Sequence, residues 1–265
     1  MFTGRLKLLS VLAGTLVLAA ASPASALDPE LQMTQYSHRM WQEELPQNSV
    51  LTVLQSTDGY IWFGTYEGLV RFDGIRFVVF DARSTGDLAG GTVSHLFEDS
   101  GGRLWISTDH GLTVLEDGRF RSFTEADGLP GGFVNATAEA ADGSLWIATS
   151  NGLSRHRDGV ITAVDLPAEC AGRAVRTLTV AGDVLWLASD AGLVELSPTG
   201  ARLFAADDNL PTTPPQVLLM AADGSLLVGT DNGLFRGSAL GFVKINLDLG
   251  RVPHIRALFQ DRDNV

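Results

Sequence analysis

Residues 58–74 read DGYIWFGTYEGLVRFDG, and the chain repeats this stretch several times. Residues 101–118 (GGRLWISTDHGLTVLEDG) and 142–159 (DGSLWIATSNGLSRHRDG) align with it with at most one residue of slack. Two looser copies lie at 182–200 and 223–238. Self-similarity at a nearly fixed period predicts a repeat architecture, in which each repeat is one supersecondary unit.

Two positions mark the register of the copies. A tryptophan recurs at spacings of 43, 41 and 40 residues, and after a further 41 residues Leu227 takes its place. A Gly-Leu pair begins six residues after each of these positions. We predict that the repeat uses both positions structurally: Trp62, Trp105, Trp146 and Trp186, and Gly68, Gly111, Gly152, Gly192 and Gly233.

The first unit predicts four short strands, because runs rich in β-branched and aromatic residues alternate with glycine-bearing turns. The predicted strands are Val50–Gln55, Tyr60–Thr65, Leu69–Phe72 and Arg76–Phe80. Asp-Gly pairs begin at positions 73, 117, 142, 158 and 223. They predict tight hairpin turns, since glycine adopts the positive φ that such turns need without steric cost.

Two further positions are restricted in every copy. Two residues after the tryptophan position the residue is small, so we expect another backbone or a large ring to pack against it. The next residue carries a hydroxyl group, which we expect to bond the nearby backbone and not to act as a nucleophile. The small residues are Gly64, Ser107, Ala148, Ala188 and Gly229. The hydroxyl residues are Thr65, Thr108, Thr149, Ser189 and Thr230.

Four-stranded units with no helical interval cannot bury both of their faces alone, so they must stack. Radial stacking predicts an all-β fold: a β-propeller of four-stranded blades with five repeats and the start of a sixth, which makes an incomplete ring. A linear solenoid is the alternative, and it would leave large apolar faces at both ends. The predicted units are 49–81, 92–124, 133–164, 174–204, 216–245 and 254–265.

The first 26 residues predict a signal peptide. Arg5 and Lys7 precede an apolar run from Leu8 to Ala21, and small residues close the segment at Ala26. A retained membrane anchor is the alternative, but a spanning helix needs about 20 apolar residues and this run is shorter. We therefore expect a mature, exported chain of residues 27–265.

The composition excludes several classes of protein. With 45% hydrophobic and 19% charged residues, the chain is expected to fold and not to be disordered. Its 19 basic and 31 acidic residues give a net charge of -12, which repels phosphate backbones, so we expect no nucleic-acid partner. Cys170 is the single cysteine, which excludes an internal disulfide and a multi-cysteine zinc site.

Catalytic signatures are missing from the sequence. It has no glycine-flanked serine elbow, no phosphate-binding glycine loop and no histidine pair at helical metal-binding spacing. Asp261, Asp263 and Asn264 match a hairpin turn better than a calcium loop, whose glycine and distal glutamate they lack. We expect no enzyme activity, no cofactor and no metal site. The five histidines, which lie in different units, are expected to be ordinary strand or turn residues: His38, His95, His110, His156 and His254.

Two sets of loop residues are candidates for ligand binding, although solvated turns without a ligand are the simpler interpretation. Loops that enter the first strands converge on one mouth of the channel in most propellers. They contain Gln47, Asn48, Gly91, Thr92, Gly132, Asn135, Arg173, Arg176, Thr212 and Gln216. The turns before the Gly-Leu pairs form a second set that is polar, acidic and rich in amides suited to sugars. These residues are Tyr66, Glu67, Asp109, His110, Ser150, Asn151, Asp190, Asp231 and Asn232.

The repeats resemble the two-component regulator propeller family of bacterial extracytoplasmic sensors. The resemblance rests on LWIST and LWIAT, each followed by a Gly-Leu pair, at 104–112 and 145–153. It rests also on GLVRFDGIRFVVFD at 68–81 and on the linkers DGLP at 127–130 and DNLP at 208–211. The resemblance implies a periplasmic propeller that a transmembrane helix, anchored in the inner membrane, connects to a histidine kinase or a diguanylate cyclase.

The chain departs from this family pattern at its end. No apolar span and no output domain follow the repeats, and residues 254–260 predict the first strand of a sixth copy before the sequence stops. We interpret the chain as the N-terminal piece of a longer protein or as a truncated gene product. Tyr36–Trp41 resembles a fourth strand that should pair with the last blade and close the ring.

The functional expectation is an extracytoplasmic sensor whose output domain is missing from this chain. Its partners would be an unknown extracellular small molecule or glycan, and a second copy through a homodimer of the full-length protein. Two alternatives belong to other classes: a secreted propeller that binds or degrades glycans, and a protein-interaction scaffold.

Overall fold

Twenty β-strands form five antiparallel sheets of four strands each in the computed structural model, which describes residues 45–81, 88–204, 209–210, 213–247 and 253–258. Within each sheet the strands pair in chain order, so every sheet is a meander of hairpins. We call the sheets blades 1 to 5 in the order in which they follow along the chain. The predicted all-β fold is confirmed.

The strand bounds are as follows. Blade 1 contains β1 (Val50–Gln55), β2 (Ile61–Thr65), β3 (Gly68–Phe72) and β4 (Phe77–Phe80). Blade 2 contains β5 (Val93–Glu98), β6 (Leu104–Thr108), β7 (Gly111–Glu116) and β8 (Arg119–Phe123). Blade 3 contains β9 (Val134–Glu139), β10 (Leu145–Thr149), β11 (Gly152–Arg157) and β12 (Val160–Val164). Blade 4 contains β13 (Val175–Ala181), β14 (Val184–Ser189), β15 (Gly192–Ser197) and β16 (Gly200–Phe204). Blade 5 contains β17 (Val217–Met220), β18 (Leu226–Thr230), β19 (Gly233–Ser238) and β20 (Gly241–Ile245).

The turns between strands follow the chemistry of their residues. In the Asp-Gly turn of blade 2, Asp117 has a φ of 51° and Gly118 a φ of 74°, the left-handed pair of a tight hairpin turn. Gly111 has a φ of 150°, and a side chain there would meet the carbonyl oxygen of Phe123 on the neighbouring strand. Thr108 donates a 2.8 Å hydrogen bond to the carbonyl of Gly111 and accepts a 3.3 Å bond from the backbone N–H of His110. The hydroxyl position is therefore part of the turn, as predicted.

The small-residue position is where one blade touches the next. A Cβ on Gly64 would lie 2.7 Å from the carbonyl oxygen of Val93 in blade 2 and 2.5 Å from Cγ2 of Thr52. The predicted close approach of a backbone is confirmed. Of the two predicted neighbours, a backbone or a large ring, the backbone is the one found at Gly64, together with aliphatic side chains.

The blades are arranged radially. The first strands β1, β5, β9, β13 and β17 pack against one another in succession, and each fourth strand lies at the far edge of its sheet. Hydrophobic clusters join neighbouring blades; for example, Leu69 of blade 1 lies in one cluster with Val93 of blade 2. First strands on the inside and shared apolar faces between sheets are the geometry of a β-propeller.

The tryptophan position belongs to these interfaces. Trp62, Trp105 and Trp186 are 4%, 1% and 4% exposed, whereas Trp146 is only half-buried. The indole N–H of Trp105 donates a 2.7 Å hydrogen bond to Asp99, and that of Trp62 donates a 3.0 Å bond to Ser56. The indole thus packs in the interface between two blades, and its N–H also holds the turn that precedes its strand through a hydrogen bond.

The predicted sixth blade is not confirmed. Residues 253–258 form no strand, although the backbone N–H of Ile255 donates a 3.0 Å hydrogen bond to Thr230 and its side chain packs against Gly229. The predicted signal peptide and the closing strand Tyr36–Trp41 lie outside the described residues. Within the described ranges, no helix has the length and hydropathy of a membrane span.

Candidate functional site

Two sets of loops lie at the same end of each blade. In blade 1, Val50 pairs with Thr65 and Thr65 pairs with Gly68, so the start of β1 is adjacent to the turn between β2 and β3. The same pairing recurs in the later blades. The described members of the two sets of candidate binding residues therefore share one surface, which we call the upper face. Thr212 lies outside the described residues.

Hydrogen bonds join the two sets of loops in blade 2. The N–H of Thr92 donates to Oδ1 of Asp109 at 3.2 Å, and the N–H of Asp109 donates to the carbonyl of Thr92 at 3.1 Å. The hydroxyl of Thr92 also donates to the carbonyl of Tyr66 in blade 1 at 3.4 Å. The Asp109 carboxylate therefore closes its own loop, and the loop in turn contacts the preceding blade.

The amide side chains have similar contacts. The Asn151 amide donates a 2.8 Å hydrogen bond to the carbonyl of Pro130, and the Asn232 amide donates a 3.3 Å bond to the hydroxyl of Thr213. Both side chains are nevertheless exposed. The NH2 groups that the sequence suggested for sugar binding thus take part in closing the loops.

Ion pairs complete the upper face of blades 4 and 5. Nε of Arg176 lies 2.6 Å from Oδ1 of Asp190. Oδ1 of Asp231 lies 3.4 Å from Nδ1 of His254 and 3.2 Å from Arg256, both of which belong to the segment after blade 5. Because these groups are largely open to solvent, each pair contributes little to stability, but it fixes where the charges lie.

The remaining candidate residues expose side chains of several chemical types to solvent. Tyr66 is 53% exposed, and Glu67, His110 and Ser150 are exposed as well. Nδ1 of His110 lies 3.1 Å from Oδ2 of Asp109. An aromatic ring, carboxylates, an imidazole and a hydroxyl therefore line the upper face of blades 1 to 3. The acidic balance of the chain favours neutral or cationic ligands over anionic ones there.

A feature that the sequence did not predict lies just inside this face. The first strands carry β-bulges near their starts, at Ser94 in β5 and at Asn135 in β9. A bulge re-aims the side chain of the extra residue. Ser94 donates a 2.7 Å hydrogen bond to the carbonyl of Val134, and Asn135 donates a 2.8 Å bond to the carbonyl of Val175. We call these bonds the inner latches, because each joins the first strand of one blade to that of the next.

A group of polar side chains is buried between blades 2 and 3. His95 pairs with Ser107 on the face of blade 2 turned toward blade 3, while Thr137 and Ser154 flank Ile147 on the opposing face of blade 3. Among the described residues, four buried side-chain atoms have no hydrogen-bond partner, and all four belong to this group: His95 Nδ1, Ser107 Oγ, Thr137 Oγ1 and Ser154 Oγ. Burial lowers the pKa of His95 to about 4, so its ring is neutral at physiological pH.

The other histidines are scattered. His156 is buried with its ring 5.1 Å from Trp105 and 5.3 Å from Phe123, and burial lowers its pKa. Within the part of the chain that the structure describes, no group of three His, Cys, Asp or Glu side chains could hold a metal ion. His38 and the turn from Asp261 to Asn264 lie outside that part.

The fold is therefore a β-propeller of four-stranded blades, and its candidate site is the upper face. Three segments of the sequence, 44–67, 87–110 and 128–151, match the two component regulator propeller family. The chain therefore carries repeats of this family. No curated protein matches the chain.

Solved propellers are similar to the chain at low sequence identity. The extracellular domain of a hybrid two-component system from B. thetaiotaomicron is 23% identical with a TM-score of 0.68, over 78% of this chain and 31% of its own. A second such domain from the same organism is 20% identical with a TM-score of 0.58, over 81% of this chain and 36% of its own. Virginiamycin B lyase from Staphylococcus aureus is 17% identical with a TM-score of 0.61, over 77% of this chain and 71% of its own. These likenesses establish the fold, and the chain spans about a third of the two extracellular domains.

Proposed function

We propose that the chain is the ligand-sensing propeller of a bacterial signal-transduction protein, exported to the periplasm and joined to an output domain in the full-length protein. The observation that carries this proposal is the match of three segments to the two component regulator propeller family. The likeness to extracellular domains of two-component systems supports an extracytoplasmic location. The output domain would be a histidine kinase or a diguanylate cyclase, and the propeller itself would bind without catalysing a reaction.

The upper face is the proposed ligand site, and the exposed ring of Tyr66 is its leading contact. A neutral oligosaccharide suits this face, because an aromatic ring can stack on a sugar while carboxylates and hydroxyls accept and donate hydrogen bonds. The acidic charge would not repel such a ligand. Asp109 and Asn151 would position the loops and would contact the ligand only through atoms that remain open to solvent.

Signalling would occur by a shift of population between two arrangements of the blades or of a homodimer, so the ligand must bind one arrangement more tightly. The inner latches suit this role, since Ser94 and Asn135 connect the first strands directly below the upper-face loops. A ligand that draws two loops together would bias the hydrogen bonds between their blades.

The proposal is tested by titrating the purified full chain with short neutral oligosaccharides in a calorimeter. We expect saturable binding that Tyr66→Ala weakens about tenfold, a loss of about 1.4 kcal/mol. Ile75→Ala is the matched control, because Ile75 is 84% exposed in the β3–β4 turn at the opposite end of the same blade. Its affinity should equal that of the unmodified chain.

Three outcomes would overturn the proposal. Cleavage of an oligosaccharide by the chain would indicate a secreted enzyme. Capture of a protein partner together with no binding of any oligosaccharide would favour an interaction scaffold. Equal weakening by Tyr66→Ala and Ile75→Ala would place the site away from the upper face.

A further inference from the structure

Blades 3 and 4 do not close tightly against each other near their first turns. A cleft of about 470 Å³ opens there, on the side of the molecule away from the upper face. Its size lies in the range of small-molecule sites in proteins. The cleft is lined from blade 3 by Asp142, Trp146 and Arg155, and from blade 4 by Val180, Asp183 and Leu196.

At the other interfaces between described blades, further aromatic rings accompany the indole. Between blades 4 and 5, the ring of Trp186 lies 5.4 Å from that of Phe204 and 6.1 Å from that of Phe242, measured between centroids. Between blades 1 and 2, the ring of Trp62 lies 5.9 Å from that of Phe80, which lies 5.4 Å from that of Phe120.

The interface between blades 2 and 3 has the same arrangement with a histidine as one of the rings, and these rings line a cleft of about 610 Å³ between the two blades. Trp105 lies 6.4 Å from Phe123 and 5.1 Å from the imidazole of His156, which comes from blade 3. In each of these three interfaces, the indole of one blade is therefore accompanied by two further planar rings. One ring comes from the end of the fourth strand of its own blade, and the other comes from the next blade.

The interface between blades 3 and 4 lacks both rings. The strand pairing puts Val164 where Phe123 and Phe204 lie, since each pairs with the leucine of its Gly-Leu motif. The pairing also puts Ala201 where Phe120 and Phe242 lie in their own blades. Trp146 is correspondingly the one indole among the four that is not buried. Trp146 thus lacks the two rings that accompany the other three indoles, and the cleft lies beside it.

The polar groups around Trp146 are held in place. The guanidinium of Arg155 lies 4.9 Å from the centre of the indole ring. Its Nε donates a 2.7 Å hydrogen bond to Ser144, and its Nη2 donates a 2.7 Å bond to Asp142. The Ser144 hydrogen bonds and Arg155 lower the pKa of Asp142 to about 2, so this ion pair persists through the physiological range. Because it is fixed, the indole need not reorganise to receive a ring, which lowers the cost of binding.

We propose that the cleft between blades 3 and 4 binds a small ligand with a planar aromatic ring and a hydroxyl or amino group. The ring would stack beside Trp146 in the place of the missing phenylalanines, against the apolar side chains of Val180 and Leu196. The exposed carboxylate of Asp183 at the rim would accept a hydrogen bond from the polar group. This inference does not depend on the proposed sensor function or on the upper face.

The probe for the test is 2-naphthol, and its saturated counterpart decahydro-2-naphthol is the control ligand. The affinity of the full chain and of each variant is measured by titration calorimetry. Contact with the Trp146 ring is followed by the indole N–H signals in two-dimensional NMR spectra, with Trp146 assigned through Trp146→Leu. Leucine is a conservative choice, because Leu227 occupies the equivalent position of blade 5. We expect 2-naphthol to shift the Trp146 signal saturably and decahydro-2-naphthol to bind at least tenfold more weakly.

Two variants locate the site. Ala201→Phe supplies the ring that other blades carry, so it should fill part of the cleft, weaken 2-naphthol binding at least tenfold and leave the fold intact. Ala163→Phe is the matched control, because Ala163 is an exposed strand residue of blade 3 on the face turned away from blade 4. It should leave the affinity unchanged.

Each possible result either supports or overturns the proposed site. Selective binding that both Ala201→Phe and Trp146→Leu weaken supports the proposal, and if one variant fails to fold the other carries the test. Absence of a saturable shift at millimolar 2-naphthol would overturn it, and so would equal affinity for the saturated compound. Binding that neither variant affects would also overturn it, even if an oligosaccharide were found to bind the upper face.

Discussion

Residues at equivalent positions of the blades differ in what their burial costs. Position 95 is a histidine in β5, whereas Thr52 and Thr177 take the same place in blades 1 and 4. The threonines suit the close contact between blades, but the imidazole brings a buried nitrogen that has no partner among the described residues. Its burial lowers the pKa of His95 to about 4, below the usual value of 6.5. The buried imidazole of His95 therefore makes the stability of the folded chain depend on pH.

Acidification should destabilise the folded chain between pH 6.5 and about 4. In this range the unfolded chain binds a proton at residue 95 and the folded chain does not, so stability rises with pH. The shift from 6.5 to about 4 corresponds to a loss on the order of 3 kcal/mol across this range. His95→Thr should flatten the decline, measured as the urea midpoint at pH 7, 5.5 and 4.5. His110→Thr, which alters an exposed imidazole, is the control and should keep the decline. An unchanged slope in His95→Thr would contradict the account.

Within each blade, the strand position two residues after the tryptophan position holds only small residues. Ser107 has its hydroxyl buried without a described partner, while Ala148 and Ala188 fill the same place in blades 3 and 4 with a methyl group. An unsatisfied buried hydroxyl costs about 1–3 kcal/mol. The blades are thus alike in backbone and unequal in the stability of their interfaces.

Exchanging these residues should move stability in opposite directions. Ser107→Ala removes the unpaired hydroxyl and keeps the packing, so the melting temperature should rise by about 2–4 °C. Ala148→Ser places such a hydroxyl in blade 3 and should lower the melting temperature by a similar amount. Calorimetry of both variants checks the pair. A fall in Ser107→Ala would mean that this hydroxyl is hydrogen-bonded in solution.

Sequence reasoning reached the elements because the repeat carries their chemistry. The tryptophan, the Gly-Leu pair and the Asp-Gly turns fix the hairpins, and the four strands predicted for the first unit agree with β1 to β4 within one residue. The bulges at Ser94 and Asn135 leave no such mark, since a bulge depends on the register of a partner strand. Because the bulge cannot be read from the sequence, the sequence places Asn135 in a binding loop, whereas in the structure it forms an inner latch.

The candidate site was only partly visible from the sequence. The turns before the Gly-Leu pairs contain at least one polar residue in every copy, which marks Tyr66 and Glu67 as surface residues. The sequence could not tell that Asp109 and Asn151 close their loops, because their partners Thr92 and Pro130 come from another loop of the blade. The missing rings beside Trp146 were also hidden, because only the strand register shows which positions of the blades are equivalent.

At the scale of the whole molecule, the described interfaces form a graded series. Blades 1 and 2, and blades 4 and 5, meet through aromatic rings. Blades 2 and 3 meet through a mixed group that includes buried polar atoms and lies beside a cleft, and blades 3 and 4 meet beside a cleft without the two further rings. Apolar contact area and ring packing stabilise an interface, whereas unpaired polar groups weaken it. Blades 2 and 3 and blades 3 and 4 are therefore where we expect the propeller to change its shape.

The radial arrangement itself is tested most directly by pulsed electron resonance distances between pairs of spin labels, in a chain whose native cysteine is replaced by Cys170→Ala. One pair joins the first strands of blades 1 and 4 at Leu51 and Arg176, and the other joins their fourth strands at Val78 and Ala201. Sheets that radiate from a common axis predict a clearly longer distance for the outer pair than for the inner pair. Equal distances would mean that the sheets are stacked in a line, and would contradict the propeller.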